Sequence, residues 1–347
     1  MIRAGDLALG GRLPGASGAL AAHIGAVYAG YDMDVQQPDG SLRIGFATGT
    51  LHFSPGEGGL SIAVTALSPT DLFVLREAVV SLIDSFDPAL TAALIWDRPL
   101  ARTAHPPNFR HATVVAVSRP GPHFARLRIA AADLSPFAIN GLHLRLLLPP
   151  VGRSPVWPMV SDTGRTVWAK GEDALHDPVY TIRAIDPAAG WLEVDIYLHG
   201  RGRTCHWAAS VQPGAGLGLI GPGGGFLLTA RHLVLAGDET ALPAIARLLQ
   251  NAHAQTMGQA LILVPSPAAI QPLAAPKGVT LRWLFRSAGD SLTTALAGVT
   301  MPPPGDRHLW VAGERHEVQA LRALYCPATG WAKTDTTLAA YWTCDTP

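Results

Sequence analysis

A strand-to-helix junction at residues 233–245 constrains this chain more than any other stretch. It reads LVLAGDETALPAI, so a short apolar run ends at a glycine that tolerates a sharp turn, and a proline compatible with a first helical turn follows. In open α/β sheets, ligands lie at the carboxyl ends of such strands. Asp238, Glu239 and Thr240 therefore have two predicted roles that the residue types alone leave open, namely helix capping and ligand contact.

Alternation of strands and helices continues over residues 229–347. Further strands are predicted at 260–264, 279–285 and 309–312, and helices at 242–252, 291–296 and 318–325. This alternation predicts a doubly wound parallel sheet that is covered on both faces. Arg286 and Glu314 each follow one of the later strands, so they are expected at the same edge of the sheet as Asp238.

Residues 109–228 show a different pattern, with short strand-like runs, glycine and proline turns and no long helix. This pattern predicts an antiparallel barrel. At residues 198–209, a strand ends at His199 and Gly200 and a short helix begins near Thr204. The helix N-terminus at the barrel rim is predicted either to bind a phosphate through its backbone N–H groups or only to plug the barrel. The glycine-rich stretch 214–225 is predicted to be the last barrel strand, because proline and glycine follow its GxGxxG spacing where a nucleotide-binding motif needs a helix.

The first 96 residues predict a small α+β domain. We expect a flexible lead over residues 1–15, helices at 18–29 and 70–86, and short strands between them, with no identifiable chemistry. Residues 97–108 contain three prolines and are predicted to be a linker. The predicted fold class is thus multidomain α+β and α/β: a small domain at 1–96, a barrel at 109–228 and a doubly wound domain at 229–347.

Composition narrows the class of partner. The chain has 347 residues with 26 basic and 26 acidic ones, which argues against nucleic acid and against an anionic membrane. Its three cysteines form no CxxC pair, which argues against a disulfide framework or a zinc ribbon and is typical of a reducing cytoplasm. No apolar run approaches the roughly 18 residues of a membrane span. We therefore expect a cytoplasmic protein that acts on a small molecule, without membrane insertion and without protein metal ligands.

Six motifs occur in order along the last two predicted domains. They are HLRLLLP at 143–149, VYTIRAID at 179–186, DIYLHG at 195–200 with Gly202 and Trp207-Ala208 after it, GDETALPAI at 237–245, WVAGE at 310–314 and the pair Tyr341-Trp342. On these motifs, residues 108–342 resemble the siderophore-interacting protein family, which are FAD-dependent ferric-siderophore reductases of the ferredoxin–NADP reductase superfamily. The upstream domain resembles a small domain of unknown function that is sometimes fused to these reductases.

The resemblance implies a site for FAD. Tyr180 is expected to pack on the isoalloxazine, Thr181 to bind near N5, and the backbone at Thr204 and Cys205 to bind phosphate. The whole set of implied cofactor-binding residues is Tyr180, Thr181, Ile182, Arg183, His199, Gly200, Thr204, Cys205, Trp207, Asp238, Glu239 and Thr240. Arg203, Arg286, Arg315 and Lys333 are the basic residues expected near an anionic ferric siderophore. No side chain is expected to act as a catalytic residue, because the cofactor carries the electrons.

Three departures from the family pattern affect these expectations. Pro178 stands where the family usually has an arginine for the flavin phosphates, Thr204 and Cys205 stand at the small-residue and serine positions before Trp207, and Thr343 follows the Tyr-Trp pair where arginine is usual. The first loses a bidentate donor, which Arg183, Arg201 or Arg203 could replace.

The implied reaction is FAD-mediated reduction of siderophore-bound Fe(III) to Fe(II). The electron donor is NADPH, NADH or a reduced ferredoxin, and the choice stays open because the two carboxylates at the first turn would repel a pyrophosphate. Two alternatives are a related flavin reductase with another acceptor and a non-catalytic siderophore-binding or partner-recruiting protein.

Overall fold

The computed structural model describes residues 7–30, 35–37, 40–46, 48–98, 105–139, 141–161, 165–224, 228–326 and 331–344. The chain divides into two compact units. The first contains Met1–Phe109 and Pro149–His176, and the second contains Arg110–Leu148 and Asp177–Pro347. In the described residues, no helix is both long enough and apolar enough to span a membrane.

The first unit is a six-stranded antiparallel sheet with helices packed on one face. Its elements are β1 (Ala8–Pro14), α1 (Gly18–Gly30), β2 (Val35–Gln36), β3 (Leu42–Phe46), β4 (Gly49–Gly56), β5 (Gly59–Ala66), α2 (Pro69–Phe86), α3 (Pro88–Thr91) and β6 (Ile95–Trp96), and the strand order is β2-β3-β4-β5-β1-β6. Alternate residues of β5 are buried, as in Leu60, Ile62 and Val64, because one face of the sheet packs against the helices. The two predicted helices are present, and short strands lie between them as predicted.

The prediction of a flexible lead over residues 1–15 is wrong for residues 8–14, which form strand β1, and residues 1–6 lie outside the part of the chain that the structure describes. Strand β1 pairs with β5 along its whole length, and Leu9 and Leu13 lie in the core. The strand was not predicted because its centre contains Gly10 and Gly11, and glycine is depleted in strands. One of them is required: a Cβ on Gly11 would lie 2.8 Å from the Trp96 ring, so only glycine lets the indole pack there.

The segment Pro149–His176 belongs to the first unit, although it connects strands of the second. It contains the hairpin strands β10 (Met159–Val160) and β11 (Thr166–Val167). Arg165 forms an ion pair with Asp84, and the Thr166 amide donates to Glu77 over 3.0 Å. This segment falls inside the range predicted for the barrel. The domain boundaries at 1–96, 97–108, 109–228 and 229–347 stay a prediction.

Seven antiparallel strands of the second unit surround a single apolar core, as predicted for the barrel. The elements are β7 (Phe109–Ser118), β8 (Phe124–Ala131), α4 (Ser135–Ile139), β9 (His143–Leu147), β12 (Val179–Thr181), β13 (Ala184–Asp186), β14 (Trp191–Tyr197), α5 (Arg203–Ser210) and β15 (Gly216–Gly223), in the strand order β12-β9-β15-β7-β8-β14-β13. Strand β15 occupies the glycine-rich stretch, in agreement with the prediction that this stretch is a barrel strand.

The doubly wound sheet is parallel and covered on both faces, as predicted. Its elements are β16 (His232–Gly237), α6 (Leu242–Asn251), β17 (Met257–Val264), β18 (Gly278–Phe285), α7 (Leu292–Ala297), β19 (Arg307–Glu314), α8 (Arg315–Tyr325) and β20 (Thr336–Trp342), in the strand order β18-β17-β16-β19-β20. Leu233 and Leu235 of β16 pack on the α6 side, and Val234 and Ala236 pack on the side of α7 and α8. The fifth strand, β20, was not predicted.

Candidate functional site

A cavity of about 620 Å³ opens at the carboxyl ends of strands β16, β19 and β20 and is walled by barrel strands. This position is the topological switch point of the sheet, because the chain leaves central strand β16 to one side and returns with β19 on the other. The lining includes six aromatic side chains: Phe124, Tyr180, Tyr197, Trp310, Tyr341 and Trp342. The volume and the apolar lining are those of a cofactor site.

Strand β12 presents Tyr180 and Thr181 to this cavity. The Tyr180 hydroxyl bonds to Thr204, and burial raises the Tyr180 pKa to about 12, so the phenol stays neutral. Thr181 is buried and bonds to the Tyr341 hydroxyl. The next two residues do not line the cavity: Ile182 packs in the barrel core, and Arg183 donates to Gln250 over 3.2 Å.

The chain after strand β14 forms the rim that leads into helix α5. His199 lines the cavity and stacks on Tyr197 with ring centroids 6.1 Å apart. The Gly200 amide donates to the Cys205 sulfur over 3.3 Å, and Gly200 and Gly202 both have φ of 78°. Gly202 stands at the cap position and has no side chain to bond the first-turn amides of α5.

The remaining residues of α5 that were predicted to bind the cofactor point inward. Thr204 and Cys205 are buried, and Trp207 packs against the barrel core. None of the three lines the cavity, so the helix can reach a ligand only through its backbone and its first turn.

Asp238 is fully buried and organises the turn after β16. One carboxylate oxygen accepts from the Thr240 amide at 2.9 Å, from the Thr240 hydroxyl at 2.6 Å and from the Ala241 amide at 3.3 Å. The other accepts from Nε1 of Trp342 at 2.7 Å. Asp238 is absent from the cavity lining, so among the described residues its observed role is to cap the turn and to hold the last strand.

Glu239 and Thr240, in contrast, line the cavity. Glu239 is 5 % exposed, accepts from Nη2 and Nε of Arg286 at 3.2 and 3.3 Å, and bonds to the Tyr197 hydroxyl. Burial, and then the neighbouring Asp238, raises the Glu239 pKa despite Arg286. Burial, and then Glu239, raises the Tyr197 pKa to about 12.

The basic residues that were predicted to lie near the substrate do not form a cluster. Arg286 is engaged by Glu239, Arg203 is exposed on the first turn of α5, and Arg315 donates to the Thr343 hydroxyl at 3.0 Å. None of these three lines the cavity. Lys333 lies in the short helical turn Lys333–Asp335, and its side chain is outside the part of the chain that the structure describes. Their contact with a substrate stays a prediction.

Several cavity residues were missed at the sequence level. Strand β20 supplies Thr337, Ala339 and Ala340 as well as the aromatic pair Tyr341 and Trp342. The pair belongs to one of the six sequence motifs, but the periodicity of the sequence predicted no strand at this position. Although 39 % of Tyr341 is exposed, its phenol oxygen lies inside the protein, where burial raises its pKa.

Two polar residues of the barrel also line the cavity without having been singled out. His143 packs so closely on the chain after β15 that a Cβ on Gly224 would lie 2.5 Å from Nδ1 of the imidazole. Burial, and then Arg145, lowers the His143 pKa. Asp195 is 4 % exposed and is held by Arg126 through two hydrogen bonds of 2.7 Å.

Within the described ranges, no cluster of three or more His, Cys, Asp or Glu side chains could hold a metal ion.

An antiparallel barrel and a doubly wound sheet that share an aromatic cavity define a flavin-dependent reductase. Comparison with known families agrees: the siderophore-interacting FAD-binding domain matches residues 113–226, and the siderophore-interacting protein family matches residues 230–345. This chain belongs to the siderophore-interacting protein family, so the resemblance found in the sequence is confirmed.

Several known proteins are similar to this chain in sequence, and one of them is also similar in its solved structure. An uncharacterized protein of Mycobacterium tuberculosis is 32% identical in an alignment of 254 positions that covers 66% of this chain and 88% of that protein. The NADPH-dependent ferric-chelate reductase of Escherichia coli is 27% identical over 68% of this chain and 93% of its own length. The crystal structure of a siderophore utilization protein from T. fusca is 30% identical, with a TM-score of 0.62, over 71% of this chain and 97% of that one.

The cavity and its rim fit FAD. The aromatic walls suit a planar ring system, and Gly200 and Gly202 have open space where a side chain would stand, so a ligand can approach their backbone closely. The uncapped first turn of α5 suits a phosphate. The assignment of individual FAD contacts to Tyr180, Thr181, His199, Gly200, Glu239 and Thr240 is supported by this arrangement and stays a prediction.

Proposed function

We propose that this chain is an FAD-dependent ferric-siderophore reductase that converts siderophore-bound Fe(III) to Fe(II). The observation that carries the proposal is the aromatic cavity at the switch point of the sheet, bordered by the first turn of α5, in a chain of the siderophore-interacting family. The similar Escherichia coli protein is named for the same chemistry. The function therefore rests on the site and not on the fold alone.

When bound, FAD would supply the electron transfer between the donor and the ferric ion. The protein provides the walls that orient it. Tyr180 and Tyr341 stay neutral at physiological pH and present aromatic faces and hydroxyl groups, while Thr181 and Thr204 fix the two phenols by hydrogen bonds. Ferrous ion is a softer ion than ferric ion, so the hard oxygen ligands of a siderophore release it more easily.

NADPH or NADH is the proposed electron donor, and a reduced ferredoxin is a further possibility. Arg286 is the cation best placed to meet a nucleotide phosphate, but Glu239 already engages it. A nucleotide phosphate must therefore compete with the Glu239 carboxylate, whereas a protein donor would not enter the cavity. For the compartment we propose the cytoplasm, which suits three cysteines that are all unpaired in the structure.

The test is spectroscopic. The purified full chain should show flavin absorption, or gain it after incubation with FAD followed by gel filtration. Stopped-flow mixing with NADPH, NADH or reduced ferredoxin should then bleach the flavin with at least one donor, and a ferric siderophore should restore its absorption. A chain that never retains FAD would contradict the proposal and favour a siderophore-binding protein without catalysis, the role consistent with Pro178 in place of the usual arginine.

A flavin that is reduced by a donor but is not reoxidised by ferric siderophores would favour a related flavin reductase with another acceptor. Ferric citrate and oxygen are the comparison acceptors in that case, because they lack the siderophore ligand.

A further inference from the structure

One arginine of helix α6 is buried without an acidic partner. Arg247 is 3 % exposed, and its guanidinium donates to three backbone carbonyl oxygens: those of Ile182 at 3.1 Å, Phe137 at 3.3 Å and Leu142 at 3.4 Å. The three carbonyls belong to three separate segments of the barrel, whereas Arg247 belongs to the doubly wound sheet. A single side chain thus fixes α6 to the barrel at three points.

Two of these segments build the cavity. Ile182 immediately follows Thr181, and Leu142 immediately precedes His143, while Thr181 and His143 both line the cavity and face each other across the β9–β12 ladder. The Ile182 amide also donates to the Leu142 carbonyl at 2.9 Å, so both residues belong to one bonded unit. The Arg247 guanidinium therefore holds the backbone that carries two cavity side chains.

The same helix also begins at the other wall of the cavity. Helix α6 starts directly after the turn that contains Glu239 and Thr240, both of which line the cavity. Gln250, three residues beyond Arg247, accepts from Arg183 at 3.2 Å and adds a second contact to the barrel. Helix α6 therefore connects the cavity wall formed by the barrel to the wall formed by the turn after β16. The hydrogen bonds of Arg247 are buried contacts between this helix and the barrel.

The charge on Arg247 is unusual for its position. In the described part of the chain, no ion pair joins it to a carboxylate, and its side-chain hydrogen bonds go only to neutral carbonyls. Burial lowers the Arg247 pKa to about 10, which still leaves the side chain charged at physiological pH. Burying an unpaired charge is costly, and an apolar residue would satisfy the packing of α6 at lower cost.

We propose that Arg247 is a positioning residue of the cofactor cavity and that its unpaired charge favours the reduced state of the bound cofactor. The proposal rests on the proposed function, since it takes FAD as the occupant of the cavity. A buried cation next to the cavity wall stabilises a group that gains electrons, and in a low dielectric this effect is larger than at the surface. Arg247 therefore sets both the shape of the cavity and its electrostatic potential.

The test uses Arg247→Met, Arg247→Lys and the matched control Arg282→Met, which removes an exposed arginine from strand β18. FAD dissociation constants come from fluorescence titration, and midpoint potentials come from dye equilibration of the holoprotein. We expect Arg247→Met to weaken FAD binding about tenfold and to shift the potential downwards. A tenfold change in the relative affinity for the two redox states corresponds to about 30 mV for a two-electron couple.

Arg247→Lys separates the two parts of the proposal. Lysine keeps the charge but cannot reach three carbonyls with a planar fork, so the potential should stay near the wild-type value while FAD binding weakens. Arg282→Met should match the wild type in both measurements. If Arg247→Met does not fold, as judged by circular dichroism, Arg247→Gln, which is also neutral but keeps an amide donor, takes its place in both measurements.

The outcomes distinguish this proposal from the proposed function. A wild-type chain that does not bind FAD contradicts the proposed function and with it the premise used here. A wild-type chain that binds FAD, with Arg247→Lys equal to it in affinity, overturns the positioning role. Equal midpoint potentials in the wild type and in Arg247→Met overturn the electrostatic role.

Discussion

The indole Nε1 of Trp342 donates a hydrogen bond of 2.7 Å to the buried Asp238 carboxylate, 104 residues earlier in the chain. The bond joins the edge strand β20 to the turn that follows the central strand β16, across the intervening strand β19. Since Trp342 and its neighbour Tyr341 both line the cavity, this bond also fixes the cavity wall.

Trp342→Phe removes the hydrogen-bond donor and leaves that oxygen of the buried Asp238 carboxylate only the more distant Arg286, whose Nη2 lies 3.8 Å away. Hydrogen bonds to charged groups contribute roughly 1.5–3 kcal/mol, so we expect the free energy of unfolding to fall by about 2 kcal/mol. FAD should also be lost more readily on gel filtration. Urea unfolding followed by circular dichroism measures the first effect. Trp168→Phe, a change in an exposed tryptophan of the first unit, is the control, and equal stability of the two variants would contradict the role given to the bond.

Tyr341→Phe keeps the aromatic ring and removes the hydroxyl that bonds to Thr181. The ring still covers the cavity, so we expect FAD binding to weaken only about threefold to tenfold, in keeping with one neutral hydrogen bond of roughly 1 kcal/mol. Fluorescence titration gives the dissociation constant. Thr181→Val should give the same change, and the double variant should be no worse than either single one. Additive losses would show that the two hydroxyl groups act separately.

Tyr180→Ala removes the aromatic wall contributed by β12, so the purified protein should retain clearly less FAD than the wild type. Tyr180→Phe is the matched variant, since it loses only the bond to Thr204 and should keep most of the cofactor. The ratio of the visible flavin absorbance to the ultraviolet absorbance of the protein reports retention. Full retention by the alanine variant would exclude Tyr180 from the flavin site.

Glu239→Gln tests whether the carboxylate competes for Arg286. Removing the negative charge releases the guanidinium for a nucleotide phosphate, so KM for NADPH should fall several-fold, with little change for NADH if Arg286 meets the 2′-phosphate. Arg286→Gln should raise KM for NADPH. Steady-state kinetics with both nucleotides gives the comparison, and a Glu239→Gln variant with unchanged KM values would remove Arg286 from the donor site.

His143 should make the fold sensitive to mild acid. Burial lowers its pKa in the folded state below the ordinary value of 6.5, so between those two values the unfolded chain binds more protons. Stability is therefore unaffected above about pH 6.5 and falls as the pH drops below it. His143→Gln should lose less thermal stability between pH 7.5 and pH 5.5 than the wild type does. His253→Gln, at an exposed site, should behave as the wild type. An unchanged pH dependence in His143→Gln would contradict this assignment.

Local patterns predicted the fold well because each element is specified within a short stretch. The turn from Gly237 to Thr240 was predicted from its own residues, and the two faces of β16 follow from its continuous apolar run. The barrel strands and the glycine-rich β15 were predicted in the same way. Strand β1 was missed because glycine weakens the alternation that marks a strand.

Contacts between distant residues account for most of what could not be predicted. Nothing in the periodicity near Trp342 points to Asp238, and nothing near Arg165 points to Asp84, since each pair is brought together only by the folded chain. The sequence also could not assign separate roles to the two acidic residues of the turn after β16. Asp238 and Glu239 are adjacent and equally acidic, yet one caps the turn and the other faces the cavity, because the backbone directs their side chains apart.

The position of β20 has a consequence for synthesis on the ribosome. Domains fold largely in the order in which they are made, so the first unit and the barrel strands can form early. The cavity wall of β20 cannot be placed until residue 342 has been added, because Tyr341 and Trp342 complete it. FAD added to a nascent chain that is stalled before this strand should therefore bind weakly, so capture of the cofactor has to wait for the synthesis of strand β20.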